Sequence, residues 1–238
     1  MAPPAVRALL FDVLGTVVDW RSSVIRTGLA LSARTGIVVD WPAFADRWRI
    51  EGYLAPIGRI VAGEEPFCEV ELLLQHQLDV QAAELGLLDL APEDLAPLRS
   101  VWHHAEPWSD SVDGLRRLRD RFVIAPLSNG SFAMLTTMAK RAGLPWDCII
   151  STDLFGTYKT DPATYRGAIG LLGLAPDAAM LVAAHPGDLS AAQRVGLRTA
   201  YVPRPLEWGP DAPARAGGED SFDLTVADLG ALADALDC

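Results

Sequence analysis

Leu9-Leu10-Phe11-Asp12-Val13-Leu14-Gly15-Thr16 decides the fold. Three apolar residues run into an aspartate, and Gly-Thr follows. The run reads as a buried parallel strand that presents a carboxylate at its C-terminal edge. In open α/β sheets that edge is where ligands bind. Asp12 is therefore the first candidate reacting group, although an aspartate there is equally fit to cap a helix or to bind a metal.

The pattern on either side places this strand. Upstream, Met1-Ala2-Pro3-Pro4 leads directly into it, without the features of a signal peptide. Downstream, residues 22–106 show helical periodicity and no convincing strand. Ser22 or Ser23 is expected to cap a helix through about Arg34, with Gly36 as its stop. Trp41-Pro42 opens a second helix, with Phe44, Trp48 and Tyr53 roughly on one face and Arg49 one step off it. A third run spans Phe67 to Leu85, and a fourth Pro92 to about His104.

From residue 107 the pattern alternates. Strands are predicted at 122–127, 148–151, 180–184 and 198–202. Helices begin near Trp108, Phe132, Asp161-Pro162 and His185, and a closing helix covers Val226 to Leu236. Strands alternating with helices imply an α/β fold with a doubly wound parallel sheet, a Rossmann-like core. The expected organisation is a core of residues 1–21 and 107–238 with a helical cap inserted at 22–106.

Composition narrows the function. The chain has 238 residues, half of them hydrophobic, which is enough for a substantial core. Its net charge of -11 argues against nucleic acid, although a site can be locally positive inside an acidic protein. Cys68, Cys148 and Cys238 lack metal-ligand spacing, and so sparse a count suits a reducing compartment. No apolar run approaches the roughly 20 residues that span a bilayer. A cytoplasmic protein without membrane contact is the expectation, with a homodimer as the default assembly.

Four predicted strands end in polar, turn-forming residues. They are Asp12-x-x-Gly15-Thr16, Ser128-Asn129-Gly130, the loop reaching Lys159, and His185-x-x-Asp188. In a parallel sheet all four converge on one rim, and that convergence says more than any single motif.

These segments, together with Tyr158-Lys159-Thr160-Asp161-Pro162 and Tyr165, resemble the motifs of the haloacid dehalogenase superfamily. Within it the chain is similar to the type II (L-)2-haloacid dehalogenases, over nearly its whole length. Leu14 is decisive. Phosphatases of the superfamily carry a second aspartate two residues after the nucleophile, and leucine cannot transfer a proton. A magnesium site would also lack oxygen ligands, because the fourth motif has His185 and a single Asp188. The expected enzyme uses no metal and no cofactor.

The resemblance implies that Asp12 displaces the halide of a short 2-haloalkanoic acid and forms an aspartyl ester. Water then releases a 2-hydroxy acid. Lys159 would keep Asp12 ionised. The substrate carboxylate would meet Ser128 and the backbone N–H groups of Val13 and Leu14. The halide would meet Asn129 and Arg49, because Trp48-Arg49 matches the family's Trp-Arg pair, and Phe67 would add an apolar wall. Thr16 would hold Asp12 or its loop, Tyr165 would support Lys159 or Asp12, and Asp188 would orient Lys159 or the water.

One departure stands out. Relatives carry Ser-Ser-Asn where this chain has Ala183-Ala184-His185. His185 could activate the hydrolytic water, or merely reshape the pocket; the first is expected. The His-x-x-Asp variant, with Val17-Val18-Asp19-Trp20-Arg21, resembles defluorinating relatives. A same-fold phosphatase, disfavoured by Leu14, and a hydrolase opening a strained imino-acid ring are the alternatives. An inert binding protein is disfavoured by Asp12, Ser128, Asn129 and Lys159. His103-His104 read as ordinary helix-end residues, and Arg116, Arg117 and Arg119 as a solvated face. Trp20 and Arg21 fall at the core–cap hinge, and Trp208-Gly209-Pro210 as a loop over the rim.

Overall fold

The computed structural model describes residues 6–211 and 221–238. Among these residues the strands are, in chain order, β1 (Ala8–Phe11), β2 (Val18–Asp19), β3 (Glu106–Pro107), β4 (Val123–Ser128), β5 (Ile150–Ser151), β6 (Ala179–Ala183), β7 (Arg198–Tyr201) and β8 (Leu224–Thr225). Six form one parallel sheet in the order β5-β4-β1-β6-β7-β8. β1 is central: Leu9 lies opposite Ile124 on one side and Met180 on the other. The alternation of a strand's side chains divides the run between two layers. Leu9 and Phe11 pack into the larger core, which continues into the cap, while Leu10 packs with Tyr165 and Leu189. Burial on both faces is why the segment has no polar alternation.

Helices flank the sheet, and five more lie between β2 and β3. Those five are α1 (Trp20–Thr35), α2 (Trp41–Arg49), α3 (Ala55–Val61), α4 (Val70–Glu84) and α5 (Pro92–Arg99). The flanking helices are α6 (Ser111–Arg119), α7 (Phe132–Ala142), α8 (Pro162–Leu171), α9 (Pro186–Val195) and α10 (Leu229–Ala235). β2 and β3 pair antiparallel, Val18 opposite Pro107, so the chain leaves and re-enters the core through a two-residue ribbon.

Local structure departs from the sequence reading in several places. α1 begins at Trp20, with Asp19 as its cap: the Asp19 carboxylate accepts the Ser22 N–H at 3.0 Å. Ser23 instead donates to the Asp19 carbonyl and accepts the Glu106 N–H, joining the two arms of the ribbon. The third helical run starts only at Val70. The fourth ends at Arg99, where Ser100 Oγ donates to the Ala96 and Pro97 carbonyls, and a 3₁₀ turn carries Val101–His104. β8 is not among the expected strands, and it and the ribbon are too short to show a period.

α2 and α3 are joined by a π turn, Ile50–Leu54, in which the Ala55 N–H reaches back to the Ile50 carbonyl. Such widened turns recur at functional sites. This one carries Tyr53 and Leu54 to the same cavity that Arg49 lines. No helix among the described residues is long and apolar enough to cross a membrane.

Candidate active site

Asp12 follows β1 directly, and its N–H donates to the Val182 carbonyl of β6 at 3.0 Å. Its carboxylate is buried and held on both oxygens. Oδ1 accepts from Lys159 Nζ at 2.8 Å, and Oδ2 from Thr16 Oγ1 at 2.7 Å. Oδ2 also faces His185 Nδ1 at 3.0 Å. Burial alone would raise the Asp12 pKa. The charge of Lys159 and the hydrogen bond from His185 reverse that and hold the group well below the usual carboxylate range.

Lys159 Nζ sits between two carboxylates, 2.8 Å from Asp12 and 2.6 Å from Asp188 Oδ2. Burial works against its charge, but the two anions outweigh it and raise its pKa. Asn129 clamps the Lys159 backbone: Oδ1 accepts its N–H at 2.8 Å, and Nδ2 donates to its carbonyl at 3.4 Å. Tyr165 donates to Asp188 Oδ1 at 2.5 Å. Burial, and then the Asp188 charge, push the phenol pKa upward, so it remains a donor. Tyr165 thus reaches Lys159 through Asp188, and it is not among the residues that line the cavity.

His185 precedes α9, and its far side meets a residue that the sequence reading missed. Nε2 lies 3.1 and 3.0 Å from Glu207 Oε1 and Oε2. Glu207 is only 4% exposed and also accepts from Trp20 Nε1 at 3.1 Å. Burial disfavours a charged His185, but the Glu207 anion and hydrogen bonds to Asp12 and Glu207 push its pKa up to about 10. For Glu207 burial is likewise the largest influence, and the His185 charge overrides it to lower the pKa.

Two features put Glu207 there. Its turn is fastened to the core by Arg204, which binds Asp110 bidentately at 2.8 Å and donates to the Thr16 carbonyl at 2.9 Å. Gly15, at φ 98°, leaves the room: a Cβ there would lie 2.3 Å from Glu207 Oε1. Nothing local marks a glutamate in a loop-rich segment. The one signal was His185, whose two ring nitrogens need two partners where an asparagine would need none of this geometry.

The cap contributes Arg49, buried with its guanidinium 4.0 Å above the Tyr53 ring and 5.4 Å from that of Trp20. Nη2 donates to the Leu14 carbonyl at 3.4 Å, while Nε and Nη1 have no partner among the described residues. Buried donors left unpaired are costly, and Arg49 lines a cavity of about 200 Å³ that Asp12, Asn129, Lys159, His185 and Glu207 also line. The site therefore combines an ionised, oriented carboxylate with a buried guanidinium that has unpaired donors among the described residues.

The other expected residues divide. Thr16 binds Asp12 and also accepts the Ala184 N–H at 2.9 Å. Ser128 Oγ is buried and accepts the Gly130 N–H at 3.1 Å, outside the cavity lining. The Leu14 side chain is core, and only its carbonyl reaches Arg49. Phe67 does not line the cavity: it precedes α4 and packs tilted against Tyr158, whose hydroxyl donates to the Cys68 carbonyl. The apolar wall comes instead from Tyr53, Leu54 and Trp208. His103 pairs with Glu71 at 3.0 Å, and Glu71 accepts from Ser131 at 2.5 Å, which ties cap to core. Among the described residues no group of three or more His, Cys, Asp and Glu is arranged to hold a metal.

Residues 6–196 match the family of haloacid dehalogenase-like hydrolases. The chain belongs to this family. Among curated haloacid dehalogenase-like relatives, (S)-2-haloacid dehalogenase 4A of Burkholderia cepacia is 26% identical over 211 residues, 84% of each chain. Two solved haloacid dehalogenase-like structures are each 41% identical, with a TM-score of 0.91 over 98% of this chain. One, matched over 96% of its length, is a defluorinating L-2-haloacid dehalogenase. The other, matched over 99%, is an L-2-haloacid dehalogenase.

Proposed function

We propose that the protein hydrolyses short 2-haloalkanoic acids to 2-hydroxy acids through an ester on Asp12. The observation that carries this reading is that Asp12 and Arg49, two of whose N–H groups have no partner among the described residues, line one cavity of about 200 Å³. A carboxylate that cannot be protonated is a competent nucleophile. A buried guanidinium with free donors suits the halide that leaves on the far side of the carbon. Oδ2 already accepts from Thr16 and faces His185, whereas Oδ1, among the described residues, accepts only from Lys159. Each oxygen has two lone pairs, so Oδ1 keeps one for attack.

In the first half-reaction an Oδ1 lone pair forms the C–O bond as the carbon–halogen bond breaks, and the halide leaves toward Arg49 and Asn129. The substrate carboxylate goes to the backbone N–H groups after Asp12, as the family resemblance implies, while Ser128, outside the cavity lining, holds the Gly130 turn. In the second, water attacks Cγ of Asp12 and gives a proton to Asp188. The proton returns to the departing alkoxide, and the Asp12 carboxyl sheds its remaining proton to solvent. Lys159 places an ammonium between Asp12 and Asp188, supplying there the positive charge that a divalent cation would bring. Leu14 offers no acid in the position that phosphatases need.

Halide release from chloroacetate, fluoroacetate and both 2-chloropropionate enantiomers, with EDTA throughout, tests this. Fluoroacetate belongs in the set because a relative at 41% identity is defluorinating. Turnover of the (S)-enantiomer is expected to survive EDTA. Loss of all turnover with EDTA, or activity confined to phosphate esters, would overturn the proposal.

A further inference from the structure

We infer that His185 acts as a standing imidazolium, braced by Glu207, which stabilises the oxyanion on Asp12 Oδ2 while the ester is hydrolysed. The inference rests on the dehalogenase reading for its chemistry, but on geometry for its protonation state. Each ring nitrogen lies 3.0–3.1 Å from a carboxylate oxygen, Nδ1 from Asp12 and Nε2 from Glu207. Ionised carboxylates only accept. A neutral imidazole would therefore turn a lone pair against one of two anions, and only the doubly protonated ring satisfies both. Lys159 Nζ also donates to Asp12 Oδ1 at 2.8 Å, and Trp20 Nε1 to Glu207 Oε1 at 3.1 Å, so both carboxylates are set as acceptors.

A ring with both nitrogens protonated cannot take a proton from water. It can do something else. Once Oδ1 carries the substrate carbon, Oδ2 becomes the ester carbonyl oxygen. Attack of water on Cγ moves the carbonyl π pair onto Oδ2, and the C–O bond to the new hydroxyl forms. The water proton goes to Asp188. When the oxyanion collapses, the Cγ–Oδ1 bond breaks and the alkoxide recovers that proton. Oδ2 already faces two donors, Thr16 Oγ1 at 2.7 Å and His185 Nδ1 at 3.0 Å. Donors in place before charge develops are a large source of rate acceleration. Glu207 is a positioning residue: it acts on Asp12 only through His185, and Trp20 Nε1 fixes its Oε1 at 3.1 Å.

The charges around His185 come from several elements. Asp12 after β1 and Glu207 after β7 are in contact with the ring. Lys159 and Asp188 bear on it through Asp12, and Arg49 of α2 through Glu207. Removing the Glu207 charge alone leaves His185 beside Asp12 but near the cation Lys159, so its proton should become labile near neutrality.

Two experiments separate this inference from the dehalogenase reading. Nitrogen NMR of ¹⁵N-histidine-labelled protein needs no substrate, and His185→Gln identifies the signal. Both nitrogens are expected to show imidazolium shifts at about pH 8, where an ordinary histidine is neutral. A neutral tautomer there would overturn the inference even if haloacids turn over. Imidazolium shifts without dehalogenation of any haloacid would leave the protonation state standing and remove the dehalogenase reading. The second experiment follows decay of the alkyl-enzyme in single turnovers of Glu207→Gln. If His185 is the oxyanion donor, decay slows up to tenfold per pH unit above the displaced pKa. Decay that quickens with pH would make His185 a base, and decay insensitive to pH would give it no part; either overturns the inference.

Discussion

Asp12 Oδ1 accepts from Lys159 and keeps a second lone pair, and the residues around it have separable effects. Asp12→Asn is expected to cut kcat by about 10³-fold or more, because removing a nucleophile leaves only the surrounding binding interactions. Arg49→Ala is expected to slow the halide-forming half-reaction by about 10²–10³-fold, the usual worth of a donor aimed at developing charge. Decay of an ester already formed should change far less. Rapid-quench comparison of halide burst with hydroxy-acid release distinguishes the two steps, and equal slowing of both would remove Arg49 from the halide's path. At this scale the sequence was informative where residues follow strand ends. Asp12, Lys159 and Asp188 meet within 2.8 Å because three strands deliver them to one rim. Glu207 was illegible because its position is set by Arg204, Asp110 and Gly15 together, and no local pattern records such a meeting.

Among elements, the turn after β1 is the most constrained. Gly15 holds a left-handed φ of 98°, and a Cβ would strike Glu207. Gly15→Ala is expected to lose about 1–3 kcal/mol in urea unfolding, and to disturb His185 as Glu207 is pushed aside. An unchanged unfolding midpoint would contradict the packing described. Within the cap, Trp102 stacks on Trp20 at 5.7 Å and meets Trp48 edge-on at 5.4 Å. Trp102→Ala should cost about 3–5 kcal/mol, read as a lower melting temperature. Helices were the better predicted elements, because a 3.6-residue period accumulates over three or four turns. The two-residue strands of the ribbon and β8 show no period at all. The split after Arg99 depends on a side chain tying off carbonyls, which composition does not reveal.

For the whole molecule, the central charges link stability to pH. His185 has a folded pKa of about 10 against an ordinary 6.5. Its stabilisation is complete below about pH 6.5 and is lost as pH rises through about 10. Asp12 and Glu207 act in the opposite direction. Their pKa values are lowered from 3.8 and 4.5, so their contribution exists above those values and disappears as pH falls. Urea midpoints should therefore be highest around pH 5–6.5 and decline toward alkaline pH. In Glu207→Gln the alkaline decline should be shallower; an equal slope would mean that Glu207 does not sustain the His185 charge. The parallel sheet itself was legible, because alternation of apolar runs with amphipathic helices has few other solutions.

The ribbon of β2 and β3 has an evolutionary consequence. Val18 and Pro107 are neighbours in space, so the helical segment between them begins and ends at one point on the core. To the sheet, that segment is a single enlarged hairpin loop, and the entropy of closing a loop grows only slowly with its length. Lineages can therefore lengthen, trim or exchange the insert while the parallel strands and Asp12 stay unchanged. Arg49, the proposed halide receptor, travels with the exchangeable part, and Asp12, the proposed nucleophile, does not. A scaffold divided in this way can acquire new leaving groups without reinventing its way of breaking bonds.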